Sequence, residues 1–101
     1  MTIDKQLNGS ELTIALGGRL DTTTAPDLER ELKALEGVNS LILDFSRLDY
    51  ISSAGLRVLL SAQKTMQKKG GMKIIHVNEL VQEVFEVTGF SDILTIVPDG
   101  D

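Results

Sequence analysis

The chain has 101 residues, 42% of them hydrophobic, with ten basic and fifteen acidic side chains and a formal net charge of −5. No apolar run approaches the roughly 18 residues of a membrane-spanning helix, and the start, with Asp4 and Lys5, lacks a signal peptide's apolar centre, so a single cytoplasmic globular domain over residues 1–101 is expected. The acidic balance disfavours nucleic acid and anionic membrane as partners and favours a protein, while the absence of cysteine excludes disulfides, thiolate catalysis and thiolate metal ligation.

Asn8-Gly9 is a preferred tight turn, and it separates a short strand carrying Ile3 and Leu7 from one in which Leu12, Ile14 and Leu16 alternate. Gly17-Gly18 interrupts that second strand and marks a bulge or a close backbone approach. After Asp21-Thr22-Thr23, the spacing Thr24-Ala25-Pro26-Asp27 reads as a capping box with proline in the first helical turn. Leu28, Leu32 and Leu35 then fall on one helical face, and Gly37 supplies the stop. Leu41 to Phe45 lacks alternation and predicts a strand covered on both faces.

The next helix opens at Ser52-Ser53 and buries Leu56, Leu59, Leu60 and Met66 before Gly70-Gly71. Met72 to Val77 is a further apolar strand. Asn78 caps a helix burying Leu80, Val81, Val84 and Phe85 up to Gly89, and Ile93 to Val97 reads as a last strand before Pro98. Strands alternating with helices imply parallel crossovers. The fold class is therefore α/β: a mixed sheet with an N-terminal antiparallel hairpin, parallel βαβ units after it, and flanking helices.

Several chemistries find no support. His76 lies among Ile74, Ile75 and Val77, which suits a buried or half-buried sheet position better than catalysis or metal ligation. The glycine needed ahead of a nucleophile-elbow serine is absent, and no glycine-rich loop ends in Lys-Ser/Thr. Asp44 alone does not make a phosphoacceptor site. No cofactor or metal is expected, and the protein is not expected to be an enzyme. What stands out is a pair of hydroxyls at a helix start, where unpaired N–H groups and the helix dipole favour negative charge; Ser52 or Ser53 either caps the helix or accepts a phosphate there.

Two segments and a weaker third carry a family resemblance. Gly18-Arg19-Leu20-Asp21 followed by Thr24-Ala25, then Leu43-Asp44-Phe45 with Tyr50-Ile51-Ser52-Ser53-Ala54-Gly55-Leu56, and finally Val84 to Phe90 resemble the STAS-domain anti-sigma factor antagonists. The resemblance covers nearly the whole chain and implies a STAS-like fold and partner switching in bacterial transcription. In its unphosphorylated form such a protein binds a serine-kinase anti-sigma factor and so frees a sigma factor. Phosphorylation reverses this, and a phosphatase resets it.

The family's acceptor serine lies two residues before the glycine, which carries the site onto Ser53, with Ser52 as second choice because it stands where the family has aspartate. The implied docking surface comprises Asp21, Thr22, Thr23, Thr24, Ser52, Ala54, Gly55, Leu56 and Arg57. A monomer or weak dimer is expected. The alternatives are a soluble STAS subunit bound to a membrane transporter and, last, a small phosphohydrolase.

Overall fold

The computed structural model describes residues 1–98, so the domain boundary expected at Asp101 lies outside the described residues. The elements run β1 (Thr2–Asn8), β2 (Glu11–Leu20), α1 (Ala25–Leu32), β3 (Ser40–Ile51), α2 (Ser53–Gln67), β4 (Met72–Ile75) and α3 (Glu79–Thr88). One sheet takes the order β1-β2-β3-β4, with β1 antiparallel to β2 and the other pairs parallel. The first hairpin closes through Gly9 and Ser10, with Asn8 opposite Glu11. The expected α/β class and antiparallel start both hold.

Each parallel crossover steps one strand in the same direction, and right-handed crossovers of that kind set their helices on one face of the sheet. Burial follows that geometry. Leu12, Ile14 and Leu16 on β2, and Leu41, Leu43 and Phe45 on β3, are buried, whereas the intervening Thr13, Ala15, Ile42 and Asp44 are only half-buried. The expectation that Leu41 to Phe45 is covered on both faces is therefore corrected. Its apolar run reflects β-branched and aliphatic residues that fit a pleated surface, with helices over one side.

β3 is also longer than expected, reaching Ile51. Of the two readings of Gly17-Gly18, the close approach holds, since a Cβ on Gly17 would stand 2.5 Å from Thr2 Oγ1; the register shifts between Ala15 and Gly17 and between Gly18 and Arg19 place their extra residues on β3, which bends along β2. β4, in contrast, stops at Ile75. His76 has a φ of 59°, a left-handed conformation that ends the strand, and its side chain is exposed; the sheet position expected for it is corrected.

α3 closes the core beside the free stretch of β3. Phe85 meets Phe45 with ring centroids 6.4 Å apart. Asn78 caps as expected, its Oδ1 accepting from the Val81 N–H at 2.8 Å while its Nδ2 donates to the Leu48 carbonyl at 2.8 Å. Leu80, expected inside, is exposed, and Leu60 and Val84 are half-buried, because the apolar stripes of α2 and α3 are wider than the sheet they cover. The last strand expected over Ile93 to Val97 is reduced to a single bridge of Ile96 to Ile74, after a 3-10 turn over Phe90–Asp92. Phe90 to Leu94 satisfies its backbone locally, the N–H groups of Ile93 and Leu94 both donating to the Phe90 carbonyl.

Candidate functional site

The upper ends of β2 and β3 deliver two short segments to one place. Leu20 and Ile51 pair across the sheet, and the Ser52 N–H donates to the Leu20 carbonyl at 2.9 Å. The turn that leaves β2 and the helix that leaves β3 are thus fastened together at their first residues.

The turn is organised by Asp21. Its Oδ1 accepts from the Thr23 N–H at 3.0 Å, the Thr23 hydroxyl at 2.7 Å and the Thr24 N–H at 3.3 Å. Thr24 Oγ1 accepts from the Asp21 N–H and donates to the Arg19 carbonyl, both at 2.8 Å. The capping box expected for Thr24 and Asp27 is therefore corrected: Thr24 has helical dihedrals and makes no side-chain cap bond, because its hydroxyl is engaged upstream. Threonine donors, foremost the Thr23 hydroxyl, hold the Asp21 carboxyl below the ordinary value of 3.8. Thr22 and Thr23 are exposed, and Asp21 and Thr24 are half-buried.

Ser52 occupies the N-cap of α2 with extended dihedrals, yet its side chain makes no cap bond, and its Oγ is buried with no hydrogen-bond partner. Ser53, the first residue of the helix, is exposed. The first N–H groups of α2 have no carbonyl four residues back; the Ser52 carbonyl is first used by Leu56, at 3.0 Å. An anion on Ser53 would meet donors and the positive end of the helix dipole. The remaining residues divide: Ala54 is half-buried and Arg57 exposed, while Gly55 and Leu56 are buried and support the surface from beneath.

Two residues not singled out from the sequence join this surface. The Arg19 guanidinium lies 4.3 Å from the centroid of the Tyr50 ring, and its Nε is 3.6 Å from Asp21 Oδ2. The extra residue Asp49 on β3, across from the step between Gly18 and Arg19, sets Arg19 opposite Tyr50, and no periodicity in the sequence reveals that offset. Among the described residues no cluster of three or more His, Asp or Glu could hold a metal, and no helix is long and apolar enough to cross a membrane.

Comparison with known proteins agrees with this geometry. The family model described as Mlab, STAS domain matches residues 3–98. BtrV of Bordetella bronchiseptica, named as an anti-sigma factor antagonist, is 41% identical over 99 residues, covering 95% of this chain and 84% of its own. An anti-sigma-B factor antagonist of Bacillus subtilis is 29% identical over 98 residues, covering 95% of this chain and 90% of its own. The crystal structure of an anti-sigma factor antagonist from Mycobacterium paratuberculosis superposes with a TM-score of 0.87 at 21% identity, over 96% of this chain and 85% of that one.

Proposed function

The chain belongs to the STAS domain family, among its anti-sigma factor antagonists, and from that membership we propose that it docks on a serine-kinase anti-sigma factor and is released by phosphorylation at Ser53. The docking surface in this reading is Asp21 to Thr24 with Arg19, Tyr50, Ser53, Ala54 and Arg57. The observation that carries it is the placement of one exposed hydroxyl, that of Ser53, at the start of α2, fastened by the bond from Ser52 to Leu20 beside the Asp21 turn. Ser52, with its oxygen buried, is the poorer acceptor. A regulatory binding protein, not an enzyme, fits this arrangement.

The release step has a physical basis. A phosphoserine adds about −1.5 to −2 charges. At a helix N-terminus the free N–H groups and dipole accommodate it, so the fold is retained. Within a protein interface the same dianion brings desolvation cost and repulsion from acidic groups, and a hundredfold loss of affinity needs only about 2.7 kcal/mol. A phosphatase then restores the docking form.

The test is incubation with the cognate serine-kinase anti-sigma factor and ATP, followed by site mapping with mass spectrometry. Phosphate on Ser53, absent from Ser53→Ala, is the expected result. Ser53→Asp is expected to weaken kinase binding while Ser53→Ala retains it. Equal binding by the two variants, with no phosphate on Ser53, would reject the switch.

A further inference from the structure

Arg57 is the first cation of α2, four residues beyond Ser53, and both residues are exposed. Its guanidinium takes part in no ion pair or hydrogen bond among the described residues. Nor does its own helix offer a partner. The positions three and four residues away are Ala54, Leu60, Ser53 and Ser61, and Ser53–Gln67 holds no aspartate or glutamate at all, in a chain with fifteen acidic side chains.

The helix brings Arg57 and Ser53 within reach of each other. Residues four apart stand one above the other, with Cβ atoms about 6 Å apart. Side chains on a helix lean toward its N-terminus, so Arg57 reaches back over the turn that Ser53 begins. The neighbouring charges are engaged: Asp21 Oδ1 accepts from Thr23 and Thr24, and Asp21 Oδ2 lies 3.6 Å from Arg19 Nε. Of the two arginines at this surface, Arg57 is the one left open.

We propose that Arg57 is the intramolecular partner of the phosphate on Ser53, its guanidinium donating to the phosphate oxygens and closing a salt bridge across the first turn of α2. The inference rests on the reading of Ser53 as the acceptor. Transfer from ATP forms the bond from Ser53 Oγ to the γ-phosphorus, breaks the bond to ADP and releases the hydroxyl proton; Arg57 takes no part in that step and acts on its product. The guanidinium fork matches two phosphate oxygens, so the pair is bidentate. One modification thereby changes two charges of the docking surface. It adds the dianion, and it occupies the free guanidinium that the unphosphorylated protein presents to acidic groups of a partner.

The test uses the full chain with phosphoserine inserted at position 53 during translation, so that it does not depend on a kinase. ³¹P NMR follows the second ionisation of the phosphate, which an isolated phosphoserine undergoes at about pH 6. A guanidinium in contact favours the dianion, so the midpoint is expected about half a pH unit lower in the wild-type chain than in Arg57→Gln, with Arg57→Lys keeping part of the difference. Lys64→Gln, also at an exposed position of α2 but about two turns further on, is expected to leave the midpoint in place. Asp21 acts in the opposite direction in every variant and cancels. The ¹⁵N signal of the Arg57 Nε–H is expected to move downfield when position 53 carries phosphate. Equal midpoints in wild type and Arg57→Gln overturn the proposal, as does a change in Lys64→Gln as large as in Arg57→Gln, which would show an effect of net charge alone. If Arg57→Gln misfolds, the Nε–H signal of the wild-type chain decides, and an unmoved signal rejects the pair. Failure of the kinase to modify Ser53 would instead reject the switch, and this titration would still decide the pairing.

Discussion

Gly55 approaches Leu20 so closely that a Cβ on it would stand 2.7 Å from Leu20 Cγ and 2.9 Å from Ile51 Cγ1. The missing side chain lets the first turn of α2 settle on the ends of β2 and β3, and that contact brings Ser53 beside the Asp21 turn. Gly55→Ala is expected to cost about 1–3 kcal/mol, the usual range for overpacking, because both neighbours are buried and wedged. Urea denaturation measures the cost. An unchanged midpoint would mean that the helix start is not held by this contact.

Ser52 and Ser53 are expected to separate cleanly. Ser52→Ala removes a hydroxyl that is buried without a partner and makes no cap bond, so stability is expected to stay level or rise. A capping serine behaves in the opposite way, losing about 0.5–2 kcal/mol on the same change. Thermal unfolding of the variant distinguishes the two, and phosphorylation assays on it are expected to leave Ser53 reactive.

Asp21 gives the turn a dependence on acid. Its folded-state pKa lies below the ordinary 3.8, so as pH falls the unfolded chain takes up this proton first. The stabilisation is complete above 3.8 and is lost as pH falls through the lower folded value. Asp21→Asn is expected to flatten the decline of stability below about pH 4 and to leave the neutral region with a constant offset. Urea midpoints of both proteins between pH 7 and pH 2.5 check the sign; parallel curves would contradict it.

Arg19 and Tyr50 are expected to couple. Their cation–π contact is at the surface, where such pairs contribute about 0.5–1 kcal/mol. A double-mutant cycle of Arg19→Ala and Tyr50→Leu, read by stability and by affinity for the anti-sigma factor, is expected to return that coupling in stability. Additive effects would indicate that the ring and the guanidinium act separately.

Much of this architecture was legible in residue order. Alternation at Leu12, Ile14 and Leu16 and the tight turn after β1 specify a hairpin because both are local: neighbouring residues satisfy their own geometry. Asn78 announced the start of α3 for the same reason, its side chain reaching only three residues ahead. The capping box at Thr24 misled, and the choice between Ser52 and Ser53 stayed open, since residue type alone does not say whether a hydroxyl has a better partner upstream or faces inward.

What the linear chain determined by itself was the class of fold, the strand and helix order, and a serine poised at a helix start, all set by period, turn chemistry and dipole. Tertiary structure alone decided which serine is exposed, where Arg19 meets Tyr50, why Ile93 to Val97 pairs at a single bridge, and that Gln63 is buried. Those outcomes depend on bulges and on contacts between segments far apart in sequence, whose energies no local pattern encodes.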